Sequence, residues 1–240
     1  MPNPTAAMLV IGDEILSGRT RDANMHHLAG QLTQAGIDLK EVRVVSDDRA
    51  AIISAVQVLA EMYHSVFTSG GIGPTHDDIT ADCIADAFGA SIDVRQDARD
   101  ILAAHYEKAG TELNAARLRM ARIPDGASLI ENPVSAAPGF TLGNVHVMAG
   151  VPSVFQAMVA SVLPTLTGGQ PLVSRTLRID RGEGALAGPL GQLAEAHPEL
   201  NIGCYPFQKD GRYGANVVIR GVDAGQVDTA IAELAGTFPA

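Results

Sequence analysis

Short apolar runs alternate with longer amphipathic stretches in the first third of the chain. The apolar runs at residues 6–11, 37–46 and 65–69 have the length of buried strands. The stretches between them, 22–35 and 52–63, repeat apolar residues at helical spacing. Strands that alternate with helices in this way are joined by right-handed crossovers, so the pattern predicts a mostly parallel sheet covered by helices.

Further along the chain the pattern predicts three more helices and one strand pair. Helical spacing covers 97–108 and 113–122, and a third helix is predicted from 150 to 163. Between them, two strands at 140–142 and 145–148 are joined by a short glycine turn. These segments continue the same α/β arrangement.

A stretch rich in glycine and proline, residues 167–171, is the best candidate for a linker between two domains. We therefore predict a main domain at 1–168 and a small domain at 172–240. The elements predicted in the small domain are a strand at 172–180, a helix at 184–196, strands at 201–207 and 215–220, and a helix at 223–235. This βαββα order predicts an α+β fold with an antiparallel sheet.

The composition excludes several classes of protein. The chain has 240 residues and a formal net charge of −10, which argues against a nucleic-acid-binding surface because such surfaces rely on Lys and Arg. No segment has the roughly 18 consecutive apolar residues of a membrane-spanning helix. The two cysteines, Cys83 and Cys204, are far apart and indicate reduced thiols. We expect a cytoplasmic protein that binds neither nucleic acid nor membrane.

Three glycines lie between the third predicted strand and the helix that follows it. Gly70, Gly71 and Gly73 lack Cβ atoms, so the loop can adopt positive φ and present backbone N–H groups to a ligand. The helix beginning near Ile79 adds the positive end of its dipole. The loop has neither the Lys-Ser/Thr of a P-loop nor the spacing of a dinucleotide fingerprint. The sequence predicts an anion site, most simply for a phosphate.

Two adjacent carboxylates, Asp77 and Asp78, follow these glycines. A phosphate and two carboxylates repel each other, so such a site needs a cation between them or a carboxylate with a chemical task. We predict a metal-binding or catalytic role for Asp78, with Asp77 as a second metal ligand. The alternative for Asp78 is the N-cap of the next helix.

A second acidic pair, Asp47 and Asp48, follows the second predicted strand. We predict that Asp47 faces the pocket and that Asp48 caps the following helix. Ligands of parallel sheets gather beyond the carboxyl ends of the strands, so the loops at 12–18, 46–49 and 70–78 should converge on one site.

Other residues at the same predicted edge are also candidates for ligand contact. Asp13 and Glu14 either share a cation, hydrogen-bond ribose hydroxyls or form a solvated turn. His76 is either a metal ligand or general acid, or an exposed loop residue. Asn24 either hydrogen-bonds the ligand or is an ordinary helix-start residue, and Ser153 is either a ligand contact or a helix cap. The candidate ligand- and phosphate-binding residues are Gly12, Asp13, Glu14, Ser69, Gly70, Gly71, Gly73, Thr75, Gly150 and Ser153.

Four motifs, in this order, resemble the CinA-type competence/damage-inducible family. They are Gly12-Asp13-Glu14-Ile15-Leu16-Ser17-Gly18, Ser69-Gly70-Gly71-Ile72-Gly73-Pro74-Thr75-His76-Asp77-Asp78-Ile79-Thr80, Asn132-Pro133 with Ala137-Pro138-Gly139-Phe140, and Gly150-Val151-Pro152-Ser153. The wider relatives are the MoaB/Mog molybdopterin-binding domains. The resemblance implies a three-layer, mostly parallel α/β main domain with its pocket at the glycine loop, a small second domain, and a homo-oligomer.

The resemblance also implies candidate activities. In Mog-type relatives the pocket binds molybdopterin and supports its adenylylation, with two essential aspartates that correspond by motif to Asp47 and Asp78. In CinA-type relatives the domain is linked to hydrolysis of ADP-ribose-like pyrophosphates with a divalent metal, and a related domain is linked to FAD cleavage. The cofactor implied is Mg²⁺, Mn²⁺ or Co²⁺, and the ligand is a small phosphorylated pterin or dinucleotide.

The sequence departs from these relatives at several points. Mog-type loops usually read G-G-T-G, and here Ile72 replaces a hydroxyl that could contact the ligand. The sequence ends at Ala240, so the amidohydrolase domain of many CinA-type chains is not expected. We therefore predict a metal-dependent pyrophosphatase of ADP-ribose- or FAD-like nucleotides. The alternatives are a non-catalytic molybdopterin or nucleotide binding protein, and molybdopterin adenylylation.

Overall fold

The computed structural model of the chain describes residues 2–209 and 211–238. The chain divides into two units, Met1–Gly169 and Gln170–Ala240, each with its own sheet and hydrophobic core. The outer bounds of the two predicted domains, residues 1 and 240, lie outside the described ranges.

The first unit is built on a six-stranded sheet. The strands of this unit are β1 (Thr5–Ile11), β2 (Asp38–Val45), β3 (Ser65–Ser69), β4 (Ile92–Val94), β5 (Arg122–Pro124), β6 (Ser128–Ile130), β7 (Gly139–Leu142) and β8 (Val145–Met148). The sheet order is β2-β1-β3-β8-β7-β6, and β4 pairs with β5 separately. The first four strands of that order are mutually parallel, whereas β7 and β6 are antiparallel to their neighbours.

Helices cover both faces of this sheet. They are α1 (Asp13–Leu16), α2 (Asn24–Gln34), α3 (Arg49–Met62), α4 (Thr80–Phe88), α5 (Gln96–Lys108), α6 (Ala115–Leu118) and α7 (Pro152–Val162). Along β1, Met8 and Val10 join the core beneath α2 and α7, whereas Leu9 and Ile11 join the core beneath α3, α4 and α5. This alternation produces three layers, which confirms the predicted fold class. No helix in the described ranges combines the length and apolarity needed to cross a membrane.

The predicted helix at 113–122 is shorter than expected, and only its first turn is α-helical. The structure has one α-helical turn, α6, followed by a 3-10 turn at Arg119–Ala121 and then β5. Asn114 starts the α-helical turn by accepting a hydrogen bond from the Arg117 N–H at 3.0 Å. The chain leaves the helical conformation because β5, with Ile123 buried, pairs with β4. These three-residue strands are too short to produce a recognisable alternation in the sequence.

The second unit has the predicted βαββα order. Its elements are β9 (Val173–Ile179), α8 (Glu183–Ala196), β10 (Asn201–Lys209), β11 (Arg212–Gly221) and α9 (Ala224–Thr237). The sheet order is β10-β11-β9, and both strand pairs are antiparallel. Buried Val217 and Ile219 of β11 pack with Leu186 of α8 and Leu234 of α9 in the core of this unit.

Candidate functional site

The carboxyl ends of the four parallel strands open on one cleft of about 540 Å³. This volume lies in the range of small-molecule sites, roughly 300–1,000 Å³. The residues that line the cleft are Ile11, Gly12, Glu14, Thr20, Asp47, Gly70, Gly71, Ile72, Gly73, Pro74, Asp77, Asp78, Met120, Asn132, Ser135, Ala137, Ala149, Gly150, Val151, Pro152 and Val154. The loops that the sequence predicts to converge therefore meet, together with the loop after β8.

Two positions of the glycine loop require glycine. Gly70 has φ of 113° and Gly71 has φ of 68°, as predicted, whereas Gly73 does not have a positive φ. A Cβ atom on Gly70 would collide with the carbonyl oxygen of Ile11, and one on Gly71 would collide with the Thr80 hydroxyl. The loop is therefore held tightly between β1 and the start of α4.

The backbone amides of this loop differ from the prediction in one respect. The Gly70 N–H donates to the Met148 carbonyl at 3.1 Å, so it extends the sheet and is not offered to a ligand. The Thr80 hydroxyl donates to the Gly70 carbonyl at 3.0 Å and fixes the loop from the helix side. The N–H groups of residues 71–73 have no hydrogen-bond partner within the described part of the chain. We refer to these amides as the candidate anion cradle.

Asp78 is tied to its own loop. Its Oδ2 accepts from the Thr75 N–H at 2.8 Å and from the Thr75 hydroxyl at 2.5 Å. The N-cap of α4 is Ile79, which makes no side-chain cap bond. The helix-cap alternative for Asp78 is therefore wrong, because its carboxylate turns back across the loop instead of forward to the helix. Thr75 does not line the cleft but holds Asp78 at its mouth.

The acidic pair after β2 has the predicted division of roles. Asp48 is the N-cap of α3 and accepts from the Ala51 N–H at 2.9 Å. Asp47 lines the cleft, and its Oδ2 accepts from the Asp13 N–H at 2.9 Å. Asp13 begins α1, a single turn that the sequence pattern did not reveal.

Carboxylates dominate the electrostatics of the cleft. Burial raises the pKa of Asp47, and repulsion from Asp13, Glu14 and Asp77 raises it further, while the hydrogen bond from the Asp13 N–H opposes the shift. Hydrogen bonding from the Thr75 side chain lowers the pKa of Asp77. The carboxylate of Asp47 is therefore a better proton acceptor than an ordinary aspartate.

Asn24, at the start of α2, joins the two glycine loops. Its Nδ2 donates to the Ser69 hydroxyl at 2.8 Å and to the Gly150 carbonyl at 2.8 Å. Asn24 and Ser69 are both only 3% exposed, so they act beneath the cleft and not on its surface. The Oδ1 of Asn24 is buried and has no partner among the described residues. A Cβ on Gly150 would lie 3.3 Å from the Gly70 Cα, which shows how closely the loops approach.

Some predicted site residues lie outside the cleft, and others were missed. Asp13, Ser69, Thr75 and Ser153 are absent from its lining, and His76 points to solvent with a side chain that is 99% exposed. The lining residues that the prediction missed include Thr20, Met120, Asn132, Ser135 and Ala137. The Asn132-Pro133 motif was a usable signal for the last three.

Asn132 organises the loop that contributes these missed residues. It is 7% exposed, and its Nδ2 donates to the Ser135 hydroxyl at 2.7 Å and to the Ala137 carbonyl at 2.8 Å. Its Oδ1 accepts from two backbone N–H groups of the same loop, at 3.1 Å each. The side chain shapes this wall of the cleft because its own hydrogen-bonding capacity is used within the loop.

The donor set of the cleft fits a divalent cation only in part. Glu14, Asp47, Asp77 and Asp78 line it, and no lysine or arginine is among the described lining residues. Within the described ranges, no three His, Cys, Asp or Glu side chains are grouped closely enough to hold a metal ion. Mg²⁺ is commonly bound by one or two carboxylates completed by substrate phosphates. The carboxylate oxygens present fit that kind of site.

An α/β domain with a glycine loop and a cleft at the carboxyl ends of parallel strands belongs to the class of nucleotide- and cofactor-binding domains. Residues 7–168 match the family described as a probable molybdopterin binding domain, and residues 171–240 match the family described as FAD synthase, middle domain. The chain belongs to the molybdopterin-binding domain family and is CinA-like, which confirms the resemblance noted from its motifs.

Relatives of this chain are found among bacterial and archaeal proteins. A CinA-like protein from Citrifermentans bemidjiense is 40% identical over 167 residues, which cover 68% of this chain and 40% of that relative. Protein TK1472 from Thermococcus kodakarensis is 32% identical and covers 94% of both chains. The crystal structure of CinA from Thermoplasma acidophilum is 35% identical, with a TM-score of 0.62, and covers 69% of this chain and 99% of that one.

Proposed function

We propose that this protein binds a pyrophosphate-linked nucleotide at residues 70–78 and hydrolyses its P–O–P bond with the help of a divalent cation. The substrate class is a dinucleotide of the ADP-ribose or FAD kind. The match of residues 171–240 to the FAD synthase middle domain, together with the CinA-like relatives, supports this class over an unrelated phosphate ester.

The observation that carries the proposal is the charge of the cleft. Four carboxylates surround free backbone amides, and the described lining contains no basic side chain. A polyphosphate would be repelled from such a site unless a cation lay between the two sets of negative charge. Because the cleft needs a cation, we favour hydrolysis of a P–O–P bond over binding of an anion without reaction.

Each residue then has a chemical task. Asp47 accepts the proton of the attacking water, because its raised pKa makes it the stronger base. The water oxygen attacks one phosphorus, the bond from that phosphorus to the bridging oxygen breaks, and the other phosphate leaves with the bridging oxygen. The products are AMP and a second monophosphate. Asp78 and Asp77 would hold the cation, which when bound stabilises charge on the transferring phosphoryl group. The N–H groups of residues 71–73 orient the phosphate oxygens.

Part of the cleft wall suits a planar ring. Met120, Val151, Pro152 and Val154 contribute apolar surface, and Val151 is 59% exposed. Such a mixture of apolar walls and few polar groups is typical of sites for ring-bearing ligands. Gly12, Glu14 and Gly150 complete the predicted ligand contacts in this proposal.

The test is the release of AMP from ADP-ribose and from FAD in the presence of Mg²⁺, Mn²⁺ or Co²⁺, measured by chromatography. We expect Asp47→Asn and Asp78→Asn each to lower the rate by about 10²–10⁴-fold, the usual contribution of a positioned acid or base. Asp48→Asn is the matched control, since asparagine also caps helices and Asp48 does not line the cleft. Equal rates for Asp47→Asn, Asp78→Asn and Asp48→Asn would refute the catalytic roles.

A second candidate function is a carrier of molybdopterin without turnover. The family description of residues 7–168 favours it, and the same cradle and ring wall would serve a phosphorylated pterin. Tight binding of pterin or dinucleotide without AMP release would support this carrier over the enzyme. Adenylylation of molybdopterin is the third possibility, and it would appear as consumption of ATP in the presence of the pterin.

A further inference from the structure

Arg119 lies beside the glycine loop with most of its hydrogen-bonding capacity unused. Its Nη2 donates to the Asp78 carbonyl at 3.3 Å, which is the one hydrogen bond of its side chain within the described residues. Its Nε is buried and has no partner there. A guanidinium has five N–H donors, so this cation is incompletely satisfied in the absence of a ligand.

The two neighbouring arginines are engaged elsewhere. Arg117 donates to the Glu112 carbonyl, and its guanidinium carbon lies 4.6 Å from the centre of the Tyr106 ring. Arg122 forms an ion pair with Asp82 at 2.5 Å. Of the three arginines on this segment, Arg119 is the one without a carboxylate or ring partner.

Arg119 lies next to the cleft, although it is not among the residues that line it. It lines a small cavity of about 20 Å³, room for about one water molecule. The residues shared by this cavity and the cleft are Gly71, Ile72, Gly73, Asp78 and Met120. The cavity therefore adjoins the cleft at residues 71–73, which places Arg119 next to the amides that are open to a ligand.

The excess of negative charge in the cleft explains how the positive charge of Arg119 would help to bind a phosphate. The described lining of the cleft has four carboxylates and no cation, so a bound phosphate gains from any positive charge that reaches the loop. Guanidinium groups match phosphate oxygens in geometry and bind them through charge-assisted hydrogen bonds. A buried N–H without a partner is costly, and a phosphate oxygen would remove that cost.

We propose that Arg119 is the phosphate-binding side chain of this site, donating to a non-bridging oxygen of the phosphate held by residues 71–73. The proposal rests on the proposed function only in placing the phosphate at that loop. It adds a specific requirement, which is that binding of the anion depends on the charge of residue 119.

Calorimetric titration with inorganic pyrophosphate in the presence of Mg²⁺ tests this requirement. Arg119→Gln keeps a polar N–H donor but removes the charge, and we expect it to weaken binding by about 10- to 100-fold. Arg119→Lys restores the charge without the planar fork and should recover part of the affinity. Arg117→Gln, two residues away with its partners outside the loop, is the control and should bind as the wild type does.

Several results would overturn the role of Arg119. Wild-type affinity in Arg119→Gln would show that the side chain only braces the Asp78 carbonyl, and an equal loss in Arg117→Gln would show an effect on the whole segment. Absence of pyrophosphate binding by the wild type would also overturn it. If Arg119→Gln does not fold, wild-type affinity in Arg119→Met or a complete loss in Arg119→Lys decides against the proposal.

The failure of this inference differs from that of the proposed function. If pyrophosphate binding depends on Arg119 but no dinucleotide releases AMP, the pyrophosphatase proposal is refuted and the phosphate-binding role of Arg119 is supported. If the wild type and Arg119→Gln release AMP at the same rate at substrate concentrations below saturation, the pyrophosphatase proposal is supported and the role of Arg119 is refuted.

Discussion

At the scale of single residues, the cleft depends on side chains that a ligand does not touch. Asn24 holds Ser69 and the Gly150 carbonyl together from beneath, with bonds of 2.8 Å to each. Thr75 fixes Asp78, and the Asp13 N–H fixes Asp47. The two carboxylates with proposed chemistry are thus pre-oriented by neighbours that lie outside the lining of the cleft.

Asn24→Ala should destabilise the first unit by about 1–3 kcal/mol, because the buried Ser69 hydroxyl and the Gly150 carbonyl both lose their donor. Asn24→Asp should cost more, since it places a carboxylate oxygen against that carbonyl. Urea denaturation followed by circular dichroism measures both differences. Asn24→Asp as stable as the wild type would show that the amide does not join the loops.

The residue scale also shows what sequence could and could not predict. The split between Asp47 and Asp48 followed from their position between a strand and a helix, and the structure confirms it. The use of the Gly70 N–H by Met148 could not be predicted, because it depends on which strand lies next to β3. The absence of a carboxylate or ring partner for the Arg119 side chain among the described residues depends in the same way on tertiary packing.

At the scale of elements, the glycine loop is a rigid joint between β3 and α4. Its first two glycines occupy left-handed conformations in contact with Ile11 and Thr80. Long, periodic segments such as α3 and α7 were predictable because their apolar spacing spans several turns. The single turn α1 and the three-residue strands β4 and β5 were not, because they span less than two periods of any pattern.

Gly71→Ala should destabilise the protein by roughly 2–5 kcal/mol, combining left-handed strain with a clash at the Thr80 hydroxyl. Gly18 provides a matched control, because its φ of 72° is similar but nothing lies within 4 Å of an added Cβ. Gly18→Ala should therefore cost only about 1–2 kcal/mol. Thermal or urea unfolding of the two variants gives the comparison, and equal losses would mean that the loop is not tightly packed.

At the scale of the whole molecule, stability should depend on pH through one core histidine. His146 is 4% exposed, and the centre of its ring lies 4.9 Å from the centre of the Phe67 ring. Its Nδ1 is hydrogen-bonded to the Thr141 hydroxyl at 2.9 Å. Burial lowers its pKa from 6.5 to about 4. The folded protein therefore keeps this histidine neutral where the unfolded chain would protonate it.

The sign of the effect follows from this depressed pKa. The contribution to stability is complete above about pH 6.5, and up to about 3 kcal/mol is lost as pH falls from there toward 4. We expect His146→Gln to show a shallower decline than the wild type over this window in urea titrations at several pH values. His26→Gln, which removes an exposed histidine, should keep the wild-type slope. Parallel pH profiles for His146→Gln and the wild type would contradict the assignment.

The central claim is that negative side chains and a backbone anion cradle face the same cleft, so that a phosphate enters only with a cation. Binding of ADP-ribose to the wild-type protein, measured by calorimetry with Mg²⁺ and again with the metal removed by EDTA, tests this claim most directly. The account predicts binding with Mg²⁺ and a loss of at least about tenfold without it. Equal affinity in both conditions would contradict it, because the carboxylates would then impose no cost on the phosphate.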